Sequence, residues 1–333
     1  MNKGGFRNGL ALLVAVGAIL ELRAPARATD DDPAPARERC ASRLSIAMLG
    51  KSATPELLAS ANPQGAVDAM TSDWAFIDRF SRFLNASFND APGDVNAADA
   101  PYFLATRILR DGKPYRELFT GKYIVVLPNP SSNNNAEVKD DPAGIGYFTS
   151  PFWEDRYAGN EENGVRLRKA YRILNNTIGL EVAASTADMR QDVKPDGNGR
   201  QNSSACRGCH FDSWFALDKV AGVLGDVRLD ARGAPVTKQE FDKKQPHIQF
   251  KKPAGPQQIL GKTIANDREL VETLVSSPDF AFNACRLSFK YLYGRAENQC
   301  EGDLFDRCVD AFTQDGMIQT AVATIAKDPS FCQ

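Results

Sequence analysis

Apolar residues recur along most of this chain at three- and four-residue steps, the period of a helix that buries one face. Trp74, Ile77, Phe80, Phe83 and Leu84 form one such stripe, which predicts an amphipathic helix with an aromatic face turned to a core. Thr54-Pro55-Glu56 places a capping hydroxyl ahead of a first-turn proline and predicts a short helix through Ala61. Further helices are expected over Tyr102 to Leu109, ended by Asp111-Gly112, and over Val165 to Ile178. Asn266 with Glu269 makes an N-terminal box for Asp267 to Val275, and Phe280 to Tyr293 follows Pro278. Leu304 to Thr313 and Ile318 to Ala326 complete the set.

Period-two alternation is scarce. Tyr123 to Leu127 reads as one short buried strand, so the fold class is mainly α, with many helices. Between 128 and 146 the chain runs through Asn-Pro, Ser-Ser-Asn-Asn-Asn and Asp-Asp-Pro, which predicts a long solvated loop. It divides an N-terminal helical domain, 38–127, from a second helical region, 147–333. No internal repeat stands out.

The first residues change the picture. Lys3 and Arg7 precede an uncharged apolar run from Gly9 to Leu20, and Ala26-Arg27-Ala28 offers a small-x-small cleavage site. Residues 1–28 therefore read as a secretory signal peptide, since the run falls short of the roughly 20 residues a spanning helix needs. After it, 29–37 carries Asp30-Asp31-Asp32 and two prolines and reads as a flexible leader. Removing Lys3, Arg7, Arg23 and Arg27 together with Glu21 takes the net charge from −2 to −5. That balance speaks against nucleic acid or an anionic membrane as partner and favours a basic redox protein. The expected location is periplasmic or secreted, with no stable membrane span after cleavage.

Candidate chemistry concentrates at Cys206-Arg207-Gly208-Cys209-His210, a single C-x-x-C-H that uses one of the two histidines in the chain. Thiols at this spacing add to the two vinyl groups of a haem while the adjacent imidazole takes an axial iron position, so the pattern predicts one covalent haem c. A zinc site would need further Cys or His at related spacing, and a redox dithiol would need a βαβ setting; neither is present. His210 is then the proximal ligand, its other ring nitrogen donating to a carbonyl or carboxylate. For the sixth position the sequence offers His247, in a charged loop, and Met189, among polar neighbours; an open iron is the alternative. Met48, Met70 and Met317 read as core. Phe211, Trp214 and Phe215 are expected beside the porphyrin, and Arg190, Arg200 and Arg207 are candidates to pair with its propionates.

Five more cysteines, Cys40, Cys285, Cys300, Cys308 and Cys332, favour disulfides in an oxidising compartment, with at least one left over. Four of them cluster near the end, so the C-terminal region is expected to be stapled.

Several short motifs occur around the haem pattern in a consistent order. They are Arg43-Leu44-Ser45 with Thr54-Pro55-Glu56-Leu57, Lys113-Pro114-Tyr115 with Leu118-Phe119-Thr120-Gly121, and Gly146-Tyr147-Phe148-Thr149-Ser150-Pro151. Ala216-Leu217, Asp230-Ala231-Arg232-Gly233 and Tyr291-Leu292-Tyr293-Gly294-Arg295 follow. In this the chain resembles the large secreted c-type haem proteins of planctomycetes and myxobacteria, built from consecutive domains of unknown function. It lacks their Asp-Pro-x-Gly beyond the haem histidine and has Phe211-Asp212-Ser213-Trp214 instead. The resemblance implies a cytochrome c-like haem region behind a large helical extension. Three function classes follow from the residues: an electron-transferring mono-haem cytochrome with a partner protein, a peroxidase-like haem enzyme with an open sixth position, and a haem-bearing binding or scaffold protein.

Overall fold

A computed structural model describes residues 34–93, 97–128, 136–157, 167–182, 197–225 and 255–333. They are mainly helical, as the periodicity requires, with two small antiparallel hairpins. Asp73 caps the Trp74–Phe88 helix by accepting from the Ala75 N–H at 2.6 Å, and Phe76, Ile77, Phe80, Leu84 and Phe88 are buried. Trp74, expected on the core face, is instead 58 % exposed, because Phe76 fills the first inward position. The Ala100–Arg110 helix packs along this one.

The Pro278–Tyr293, Gly302–Asp315 and Ile318–Ala326 helices pack against one another. Aromatic rings join them to the N-terminal helices: Tyr291 meets Phe76, Phe80 and Phe83, and Tyr115 meets Phe280 and Phe312. Buried side chains on both sides of 128–146 therefore form one continuous cluster. Met48 and Met70 lie in it, as expected. Within this core, Lys169 and Glu154 form an ion pair with side chains 2 % and 4 % exposed.

Two expectations need correction, and one element was not anticipated. The Ala34–Leu44 helix begins inside the stretch read as leader, since a proline at its second position suits a first helical turn. Glu137–Asp140, inside the stretch read as loop, pairs with Tyr123–Val126 in register Tyr123↔Asp140 to Val126↔Glu137. A hairpin of Gln257–Ile259 and Lys262–Ile264 turns through Leu260 at φ +52° and Gly261 at φ +72°, a leucine standing where glycine or asparagine would have signalled the turn.

Two disulfides close the structure. Cys285–Cys308 staples the C-terminal helices, as expected, and Cys40–Cys332 ties the first described helix to the last turn. Beside the second bridge the Arg43 guanidinium lies 4.8 Å from the Phe331 ring centroid and donates to the Gln333 carbonyl at 2.8 Å. Among the described residues no helix is long and apolar enough to cross a membrane.

Candidate functional site

Three short helical pieces build the C-x-x-C-H region. Gly197–Asn202 carries Arg200, Ser204–Arg207 carries Cys206, and the widened turn Gly208–Asp212 carries Cys209 and His210. This turn closes with the Ser213 N–H on the Gly208 carbonyl at 2.8 Å, one residue wider than an α-helix. Along such a path, residues three apart share a face, which puts the two thiols on one side. Cys206 is partly exposed, Cys209 is exposed and neither is bridged.

Ser213 then redirects the chain. Its hydroxyl donates to the Cys209 carbonyl at 3.0 Å and accepts from the Ala216 N–H at 2.9 Å. Ala216 is forced to φ +28°, ψ +73°, a sparsely populated conformation that costs about 1–3 kcal/mol. The strained corner swings the Leu217–Val223 helix back under the motif. Leu217, Val220 and Val223 are buried, and this helix packs on Leu167–Ile178 and on the Gln257–Ile259 strand. Asp218, on its first turn, is thereby fixed to the core and directed at the C-x-x-C-H motif.

There Asp218 Oδ2 lies 2.7 Å from His210 Nδ1. Arg200 forks onto the same carboxylate, Nε to Oδ2 at 3.1 Å and a terminal nitrogen to Oδ1 at 2.8 Å. The Asp218 and Arg200 side chains are 8 % and 9 % exposed, against 21 % for His210. Burial pushes the Asp218 carboxyl up, but the hydrogen bonds and charges of His210 and Arg200 outweigh it and hold the group below its usual value. An ionised carboxylate only accepts, so Nδ1 carries a proton, which leaves Nε2 as the nitrogen available to ligate.

These residues fit a covalently held haem. The thiols are unbridged and accessible, the adjacent imidazole has its far nitrogen free to ligate, and its tautomer is held from behind. Trp214 is 50 % exposed and meets Phe215 edge to face at 5.3 Å, apolar area that a porphyrin face would cover. Among the described residues no three His, Cys, Asp or Glu gather as ligands for a bare metal ion.

The other sequence candidates distribute unevenly. His247, Met189, Arg190 and the Asp230–Gly233 motif lie outside the described residues. Arg200 is committed to Asp218, and Arg207 is exposed and paired with Asp212 at 2.9 Å. Asp218 was not singled out from the sequence; its only signal was an acid in the first turn of the helix after the histidine. Comparison of the chain with protein-family models, with curated proteins and with solved structures finds no match to any of them.

Proposed function

We propose that this chain is an extracytoplasmic mono-haem c-type cytochrome, with a cytochrome c-like haem region, that passes electrons to or from a partner protein. The observation that carries the reading is the state of the seven cysteines. Four are bridged, Cys300 stands alone, and the two unbridged thiols of the motif precede a histidine whose Nδ1 is held by Asp218, leaving Nε2 to ligate. Cys206 and Cys209 would each add S–H across a haem vinyl group, sulfur to one carbon and hydrogen to the other, so no oxidant is needed. When bound, the haem supplies a one-electron iron couple. His210 would hold the iron through Nε2, Asp218 fixes the imidazole from behind, and Trp214 and Phe215 would exclude water from the group. The disulfides support an oxidising compartment, as does the signal-peptide pattern of residues 1–28, which lie outside the described residues.

A peroxidase-like haem enzyme is the second reading, favoured by the carboxylate behind His210, because electron density pushed through an axial imidazole stabilises more oxidised iron.

The test begins with the mature protein made alongside a haem-attachment system. It should retain its haem through acid-acetone extraction, and Cys206→Ala with Cys209→Ala should lose it. Alkylation of the denatured, unreduced protein should then label Cys300 alone in the haem form and three thiols in the unsubstituted chain made without the attachment system. Extractable haem or an absent haem signal would overturn the proposal. A low-spin iron that refuses carbon monoxide and cyanide supports electron transfer, whereas a high-spin, ligand-accepting iron moves the assignment to the enzyme.

A further inference from the structure

We infer that Asp218 and Arg200 form an opposed pair that sets how strongly His210 donates to the iron; this rests on the haem reading above. An imidazole whose Nδ1–H is drawn toward a carboxylate gains imidazolate character, and its Nε2 becomes a stronger donor that favours ferric over ferrous iron. Asp218 supplies that pull at 2.7 Å from a buried position. Left alone, such a carboxylate would drive the couple strongly toward the ferric form. Arg200 withdraws part of the effect. Its fork takes both oxygens, including Oδ2, the atom that faces His210, so one oxygen serves two donors at once.

Both partners are held by separate elements, Arg200 on Gly197–Asn202 and Asp218 on Leu217–Val223, with the histidine between them in sequence. The carboxylate is therefore neither a free anion nor a simple structural clasp. Both are positioning residues, acting on the iron only through His210.

The signature of opposed action is opposed sign. Potentiometric titration of the haem-loaded protein, with dithionite donating the electron, should show Asp218→Asn raising the midpoint potential and Arg200→Gln lowering it. Arg200→Lys, which keeps the charge but loses the fork, should fall between Arg200→Gln and the unsubstituted protein. In the haem-free Cys206→Ala/Cys209→Ala chain, imidazole nitrogen NMR should show the His210 proton on Nδ1. It should become distributed over both nitrogens once Asp218 is replaced. Should Asp218→Asn fail to fold, the Arg200 series and the haem-free tautomer carry the test. Potentials that move in one direction for both variants, or not at all, in protein that still holds covalent haem would overturn this inference and leave the cytochrome reading standing. Absence of covalent haem in the unsubstituted chain would sink the cytochrome reading itself, and the tautomer result would then stand alone as a structural property of His210.

Discussion

Replacing Cys40 and Cys332 together by alanine tests how far the structure depends on a covalent link between its two ends. The bridge spans 292 residues. The entropy of closing so long a loop in the unfolded chain corresponds to about 5–6 kcal/mol at room temperature. Little of this should come from lost native packing, since Arg43 stays on the Phe331 ring and on the Gln333 carbonyl, and Phe331 remains buried. The effect therefore falls on the unfolded state. Two readouts follow from denaturant unfolding of the oxidised protein and the variant. Stability should drop by several kcal/mol, and the dependence on denaturant should steepen, because an unfolded chain freed of the link exposes more surface. For comparison, the Cys285–Cys308 loop of 23 residues is worth about 3.5 kcal/mol by the same reasoning. A variant that loses under about 1 kcal/mol with an unchanged slope would refute the loop-entropy account.

Two further outcomes are open to measurement. Lys169→Met leaves the Glu154 carboxylate buried without its ammonium and should cost about 3–5 kcal/mol in thermal or denaturant unfolding, whereas adding Glu154→Leu should recover most of the loss. Burial raises the phenol pKa of Tyr115 and Tyr147 far above the usual 10.0, and those of Tyr157 and Tyr291 to about 12. Since the folded values exceed the unfolded one, these phenols support the fold below pH 10 and cease to do so as pH rises from 10 toward 12. Their phenolate absorbance should appear together with loss of helical circular dichroism, and ionisation near 10 with helicity intact would contradict the burial.

The sequence was legible where local chemistry repeats with a period or caps an element. Asn266 with Glu269 marks the start of Asp267–Val275, and the side chain of Asn266 does accept from the Glu269 N–H. The aromatic stripe over Trp74–Phe88 marks a helix, although its first member, Trp74, lies off the buried face and Phe76 takes the inward place, because periodicity fixes an apolar face only to within the width of a side chain. Elements held by distant partners were not legible. Glu137–Asp140 is polar and mostly exposed, and pairs only because Tyr123–Val126 is there to receive it. Cysteine spacing carries no information on partners, so Cys40–Cys332 could not be read. At the candidate site the C-x-x-C-H pattern was explicit in five residues, while the meeting of Asp218, Arg200 and His210 depends on the Ser213–Ala216 corner that folds one helix beneath another.

The bridge between Cys40 and Cys332 also imposes an order of events on a chain made from its N-terminus. Cys40 is the first cysteine of the described chain to appear and its partner is the last, with Cys206, Cys209, Cys285, Cys300 and Cys308 emerging in between. Throughout synthesis the Cys40 thiol waits beside candidates that are all wrong, two of them the motif thiols. Any early bridge from Cys40 to Cys206 or Cys209 would remove a motif thiol and leave Cys332 without its partner. The correct pairing cannot form until Cys332 has emerged, and if Cys206 and Cys209 are capped before then, two of the five competitors are gone. If the proposed haem is attached here, its attachment and disulfide fidelity become one kinetic problem, in which whichever reaction reaches the motif thiols first decides whether Cys40 and Cys332 can meet.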